Sequence, residues 1–341
     1  MRRFFETCYV TIIFSENFNK GNELLDFFKK KLKKGATVAV CADESAISVV
    51  RIRREKDLPP CLEVCEVQEI ENIAIRDAEI ARLTKIYDLD QYTCLSSLEI
   101  GDYNLILVEA PDVQPEELRA AVRWRVKDLI DFRIDDAVVD VFEAPESRGT
   151  ASNKMMYAVV ARSARVKQVI EQLNGAGLHL DIIDIPELAL RNVAAMLPED
   201  VGGVALIYVG QQQGLITITK QSQLYLSRTI NAGTALLPES VLSVMDDESC
   251  QRWLDNIVIE VQRSMDYYES HFAQPQVSSL IMTPIGKEIP GITEYLSEQL
   301  QIPARILDVN DLIDVDEAIP ASVQSRCLLA IGTALRQEAV A

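Results

Sequence analysis

The feature that most constrains the fold is a run of three short β-strands within residues 203–230. The strands predicted there are Val204–Val209, Leu215–Lys220 and Gln223–Thr229, and turn residues separate each from the next. Short apolar, β-branched segments between glycine-bearing and polar turns are typical of an antiparallel meander. A sheet of this kind needs helices on one face, so the run predicts an α/β protein.

A similar run of strands occurs once before, nearer the N-terminus. Ala36–Cys41 and Ala46–Arg53 flank a turn at Ala42–Ser45, and Cys61–Ile70 supplies a third strand. Helical patterns follow both runs, and the spacing between the copies is far too long for a solenoid. We therefore predict a duplicated α/β architecture in which two related lobes face each other across a cleft.

The chain length agrees with two lobes, since 341 residues exceed what one core normally supports. We assign residues 1–34 to an N-terminal extension and residues 35–200 to the first lobe. The second lobe takes residues 201–341. Within the first lobe, residues of about 111–162 read as a small inserted α/β subdomain, with one helix followed by two apolar strands.

Composition excludes several classes of function. The formal net charge is -18, which argues against nucleic-acid binding because phosphate neutralisation needs an excess of Lys and Arg. The seven cysteines have no framework spacing and there are only two histidines, so we expect reduced cysteines and no metal site. The sequence contains no G-x-G-x-x-G, P-loop or G-x-S-x-G pattern, and nothing supports a dehydrogenase or hydrolase.

Membrane contact is an open question at the N-terminus. No apolar run approaches the roughly 20 residues that a spanning helix needs, and no cleavage site of a signal peptide is evident. Residues 24–35, LLDFFKKKLKKG, form a basic amphipathic leader. Such a segment either binds an anionic membrane surface or remains solvated, and the sequence does not decide between these.

Four stretches together resemble the PilM family of type IV pilus assembly proteins, and within it the MshI branch named for the mannose-sensitive haemagglutinin (MSHA) pilus. They are residues 120–144, 173–194, 224–233 and 328–336. Their order and spacing are more specific than any one of them, and the resemblance covers roughly residues 28–338. It implies an actin-like fold, which is a duplicated, ribonuclease H-like two-domain fold with an inserted subdomain in its first half.

The resemblance also implies a nucleotide site whose motifs are degraded here. The family's first phosphate turn resembles Asp-Ile-Gly-Ser followed by a lysine, whereas this chain has Cys41–Ser45 and then Ser48 at the lysine position. Two carboxylates in that turn would repel a triphosphate that carries no metal. The positions that match the family's nucleotide-contacting turns are Asp43, Glu44, Ser45, Gly210, Gln211, Gln212, Gly233 and Gly286.

Two classes of function remain. In the first, the chain is a scaffold that retains the fold, has no catalytic residues and needs no cofactor. In the alternative, it binds ATP and Mg²⁺ and its nucleotide state regulates pilus assembly. Phosphoryl transfer needs cations around the phosphates, and neither turn carries Lys or Arg. We expect the first class, without hydrolysis.

The resemblance further implies a partner. Family members bind the short cytoplasmic tail of a bitopic, PilN-like inner-membrane protein in a groove at the inserted subdomain. The candidate contacts here are Trp124, Ile130, Phe132 and Tyr157, because aromatic and apolar residues favour such anchors. Each could instead be a core residue. We expect a cytoplasmic protein peripheral to the inner membrane, and the sequence does not show whether it self-associates.

Overall fold

A computed structural model describes residues 32–146, 154–237 and 248–337 of the chain. Residues 24–31 of the predicted basic leader lie outside these ranges. Among the described residues no helix combines the length and apolar character needed to cross a membrane. The six described cysteines are all free thiols.

The described residues form fourteen strands and seven α-helices, numbered in chain order. The strands are β1 Ala36–Ala42, β2 Ala46–Arg53, β3 Cys61–Glu69, β4 Thr93–Ser97, β5 Tyr103–Glu109, β6 Ala137–Glu143, β7 Met155–Arg162, β8 His179–Asp184, β9 Val204–Val209, β10 Gly214–Lys220, β11 Gln223–Ile230, β12 Ser279–Met282, β13 Ala304–Ile306 and β14 Asp314–Val315. The helices are α1 Arg76–Ile86, α2 Leu118–Val126, α3 Ser163–Gly175, α4 Pro186–Ala194, α5 Glu248–Phe272, α6 Ile292–Leu300 and α7 Ala321–Ala334.

Two of the sheets share one plan, as the duplicated strand pattern predicts. The first has the order β14-β3-β2-β1-β4-β8, and the second has the order β11-β10-β9-β12-β13. In each, an antiparallel three-strand meander is extended by parallel strands beside its first strand, β4 and β8 in one sheet and β12 and β13 in the other. This repetition confirms the predicted duplicated α/β fold.

The third sheet, of order β5-β7-β6, carries α2 on one face. Val122 and Val126 of α2 are fully buried against alternate residues of β7, including Ala158 and Val160. The sheet begins at Tyr103, ahead of the insertion predicted from about residue 111. The sequence alone could not show that β5 belongs to this sheet, because the residues of an apolar strand do not indicate which sheet the strand joins.

One continuous apolar cluster joins the two larger sheets. It contains Ala39 and Val50 of the first sheet, Leu206 of the second, Leu190 of α4 and Ile331 of α7. Helices α4 and α7 approach very closely, since a Cβ on Gly332 would lie 2.2 Å from the carbonyl oxygen of Ala189. Both α7 and β14 come from the last part of the chain and contact the first sheet. The C-terminal segment therefore returns from the second sheet to the first.

Candidate functional site

The turn of the first meander is held by hydrogen bonds to the side-chain carboxylate of Asp43, a residue of that turn. The Oδ1 atom of Asp43 accepts hydrogen bonds from the backbone N–H of Ser45 at 2.7 Å and of Ala46 at 2.8 Å, and from the Ser45 hydroxyl at 2.8 Å. Turn amides of this kind are the groups that hold phosphate oxygens in nucleotide sites. Asp43 thus supplies an internal anion to the amides that an external phosphate would need.

The turn of the second meander is closed by backbone. The Gly210 N–H donates to the Gln213 carbonyl at 2.9 Å, while Thr234 N–H donates to the Gly210 carbonyl and Ala235 N–H to the Gln211 carbonyl, at 2.9 and 3.0 Å. Gly233 permits this approach, because a Cβ there would lie 2.4 Å from the Gln211 carbonyl oxygen. The amides of the segment after β11 are consequently paired within the chain.

The two turns contact each other. The Ser45 hydroxyl lies 3.2 Å from Oε1 of Gln211, and the Arg326 guanidinium of α7 donates to the Ser45 hydroxyl at 2.7 Å. Gly286 lies beside α7, where its Cβ would be 2.9 Å from the Ser325 hydroxyl. Most of the predicted nucleotide positions are therefore linked by contacts, although the Glu44 side chain is exposed.

Where the two turns meet, several polar groups that could contact a phosphate are already bonded within the chain. Asp43 occupies the first set of amides, and burial together with the charge of Asp43 raises the pKa of neighbouring Tyr208. In the described ranges no group of three His, Cys, Asp or Glu side chains could hold a metal ion. Arg326 is a cation that sequence patterns did not predict, since it lies 281 residues from Ser45. Its guanidinium donates a hydrogen bond to the Ser45 hydroxyl.

A second candidate site is a cleft on the face of the third sheet, β5-β7-β6, that is opposite to α2. A cleft of about 480 Å³ separates β5 from β11, and ten of its lining residues are Tyr103–Leu107 and Tyr225–Thr229. Both strands are at the edges of their sheets, so each has only one strand neighbour among the described residues. An edge strand presents a row of N–H and C=O groups that can pair with an added strand.

A buried carboxylate forms part of the cleft wall. Glu187, at the start of α4, is only 3% exposed, and it accepts hydrogen bonds from the hydroxyls of Tyr103 and Ser227, the latter at 3.4 Å. Burial raises the pKa of Glu187 to about 7, against the effect of these hydrogen bonds. Burial and the adjacent Glu187 also raise the pKa of Tyr103. No sequence pattern marked this pair.

The structure does not bring the four predicted partner contacts into one groove. Tyr157 lines the cleft, and its hydroxyl donates to the Tyr225 carbonyl at 2.7 Å. Trp124 lies on α2, against the opposite face of the same sheet, with 72% of its surface exposed. Ile130 and Phe132 pack against that same face, where the Arg162 guanidinium lies 4.2 Å from the Phe132 ring centroid.

Comparison with known proteins gives one family match and several similar structures. A family model described as type IV pilus assembly protein PilM matches residues 43–249. Among solved structures, the chain is similar to a PilM-PilN type IV pilus biogenesis complex, with a TM-score of 0.69, 17% identity, and coverage of 88% of this chain and 97% of that chain. No curated protein matches the sequence.

Weaker similarities extend to two other proteins. The cytoplasmic domain of EpsL, an inner-membrane component of the type II secretion system of Vibrio cholerae, matches with a TM-score of 0.49, 12% identity, and coverage of 89% of this chain and 96% of that chain. A Bacteroides thetaiotaomicron protein with an actin-like ATPase fold matches with a TM-score of 0.48, 11% identity, and coverage of 90% and 98%. The fold that was predicted, actin-like with an inserted α/β sheet, is the observed one.

Proposed function

Because the chain belongs to the PilM family of type IV pilus assembly proteins, we propose that it is a scaffold in the assembly of such a pilus, of the MSHA type. It acts on the cytoplasmic face of the inner membrane. There it holds the cytoplasmic tail of a PilN-like membrane protein. The support for this partner is the similarity to a structure in which PilM is complexed with PilN.

We place the tail in the cleft between β5 and β11. The observation that carries this proposal is the pair of edge strands, each with five consecutive residues lining one cavity of about 480 Å³. An extended segment that enters the cleft can pair its main chain with either edge. Its alternate side chains would then reach the cleft walls, where Tyr157 and Tyr267 offer aromatic surface. Main-chain pairing gives affinity and the walls give selectivity.

The surface around Trp124 is a second candidate for the same partner. Its tryptophan is exposed and its neighbour Leu129 is 59% exposed, so an apolar patch faces solvent on α2 and just after it. Exposed aromatic side chains are frequent anchors in protein interfaces. The two candidate surfaces lie on opposite faces of one sheet, and substitutions can separate them.

Binding measurements with the partner's cytoplasmic tail distinguish the surfaces. Asn104→Trp and Thr229→Trp place a ring at the exposed edges of the cleft, and we expect each to weaken binding at least tenfold, measured by titration calorimetry. Trp124→Ala and Phe132→Ala test the other face. Ile86→Ala, at an exposed residue of α1, is the matched control. Loss of binding only in the Trp124 and Phe132 variants would move the site to α2.

The scaffold proposal also predicts no use of nucleotide. Both meander turns are closed by groups of the chain itself, so we expect calorimetry with Mg-ATP to show no binding in the micromolar range. Tight binding would instead favour the alternative, in which ATP regulates pilus assembly.

A further inference from the structure

The cleft contains one acidic group that lacks a charged partner. Glu187 is bonded to two hydroxyls, and no Lys or Arg among the described residues forms an ion pair with it. The arginine that lines the same cleft, Arg228, is held by Glu260 at 3.1 Å. A buried carboxylate without a cation is costly, and it either takes up a proton or acquires a cationic partner.

The geometry is compatible with a cation supplied by a segment that binds in the cleft. Glu187 is one of the residues that line the cleft, although only 3% of its surface is exposed, so a cation on a bound segment would pass beside its side chain. The hydroxyls of Tyr103, on β5, and Ser227, on β11, come from the two edge strands and fix the orientation of the carboxylate from both sides. Both hydrogen bonds leave acceptor positions on the two oxygens, since an ionised carboxylate has about four.

We propose that Glu187 is a subsite for a basic side chain, and that the segment bound between β5 and β11 carries a lysine or arginine which pairs with it. This inference rests on the proposed docking of an extended segment in this cleft. A charge-assisted hydrogen bond in a buried site is stronger than one in water, so a single basic residue would contribute much of the selectivity. The cleft tyrosines add surface on which a guanidinium can stack.

The proposal predicts a pH dependence of binding. The pKa of Glu187 is raised to about 7, so the carboxylate is largely protonated below that pH and ionised above it. A basic side chain binds the ionised form, so its affinity should rise as the pH rises through about 7. The titratable and charged groups that line the cleft or neighbour the Glu187 carboxylate are Tyr103, Tyr157, Asp184, Arg228 and Tyr267. Ser227 is a neutral hydrogen-bond partner.

A peptide selection on the full chain tests the proposal. A random ten-residue library is panned on the wild-type protein, and peptides that also bind Asn104→Trp or Thr229→Trp are removed. We expect the remaining, cleft-dependent peptides to share a Lys or Arg at one position. Replacing that residue by norleucine, which keeps the chain length and loses the charge, should weaken binding about tenfold at pH 8.

Two comparisons test whether the preference for a basic residue depends on Glu187. In Glu187→Gln the lysine and norleucine peptides should bind equally well. In the control Glu171→Gln, which also loses one negative charge but at an exposed position of α3, the preference for lysine should remain. With the wild-type protein alone, the lysine peptide should bind several-fold more weakly at pH 6 than at pH 8, and the norleucine peptide should not. This last measurement does not depend on the folding of a variant.

The results that would contradict the Glu187 subsite differ from those that would contradict the docking cleft. Cleft-dependent peptides without a basic position, or a lysine preference that survives in Glu187→Gln, would overturn the subsite and leave the docking cleft standing. Equal pH dependence of the two peptides would do the same. A library that yields no cleft-dependent peptide would overturn the docking cleft itself.

Discussion

The junction of the two meander turns and the cleft between β5 and β11 differ in how their polar groups are satisfied. At the junction, the amides of Ser45 and Ala46 are bonded to Asp43, and those of Thr234 and Ala235 to carbonyls of the second turn. In the cleft, counting only the described residues, two strand edges have no second strand neighbour and a buried carboxylate has no Lys or Arg partner. A protein that satisfies its own polar groups leaves little for a ligand to bind. This difference is the reason that we propose the cleft, and not the junction, as the binding site.

The largest expected effect is at the closed junction. Gly233→Ala would place a Cβ 2.3 Å from the Gln212 carbonyl carbon, and backbone cannot move aside as a flexible side chain can. We expect a loss of about 3 kcal/mol in the free energy of unfolding, measured by urea denaturation. The control is Gly175→Ala, where nothing lies within 4 Å of the new Cβ. A stable Gly233→Ala protein would show that this closure is loose.

The stability of the protein should respond to pH through the buried carboxylate of the cleft. The pKa of Glu187 is raised to about 7 in the folded protein, above its usual value of 4.5, so folding favours the protonated form. The free energy of unfolding should therefore fall as pH rises from about 4.5 to about 7, by up to about 3 kcal/mol, and level off above. Glu187→Gln should remove that part of the pH dependence. Matching pH curves for both proteins would contradict a buried, unpaired carboxylate.

Removing the internal anion sharpens the comparison further. Asp43→Ala deletes the acceptor of two backbone amides and one hydroxyl, and we expect a loss of about 1 kcal/mol in the free energy of unfolding. Asp43→Asn keeps an oxygen acceptor and should lose less. If the alanine variant is as stable as the wild-type protein, the carboxylate does not hold this turn.

The smallest effect is expected for the contact between the two turns. Gln211→Ala removes the acceptor of the 3.2 Å hydrogen bond from Ser45, which is exposed to solvent. We expect a change within about 0.5 kcal/mol in the free energy of unfolding, because water replaces an exposed partner. A substantially larger loss would mean that this bond holds the two sheets together.

The comparison also separates what sequence patterns could predict from what they could not. The turns at Ala42–Ser45 and Gly210–Gly214 were predicted as turns, and their departures from nucleotide motifs were visible in the residues themselves. That Asp43 folds back onto the amides was not visible, since the sequence predicted only its repulsion of phosphate. Likewise, Trp124 and Tyr157 could be named as aromatic anchors, but their positions on opposite faces of one sheet required the pairing of β5, β6 and β7.

The sequence by itself determined the strands of the two meanders and their duplication, because alternation of apolar residues and turn chemistry act over a few neighbouring residues. It did not predict β4 or β14. Only the tertiary structure decided which edges are free and which charges are paired. Glu187, Tyr103 and Ser227 lie on three separate elements, and Arg326 reaches Ser45 from a helix near the C-terminus. Such contacts depend on how the sheets pack, which no local pattern encodes.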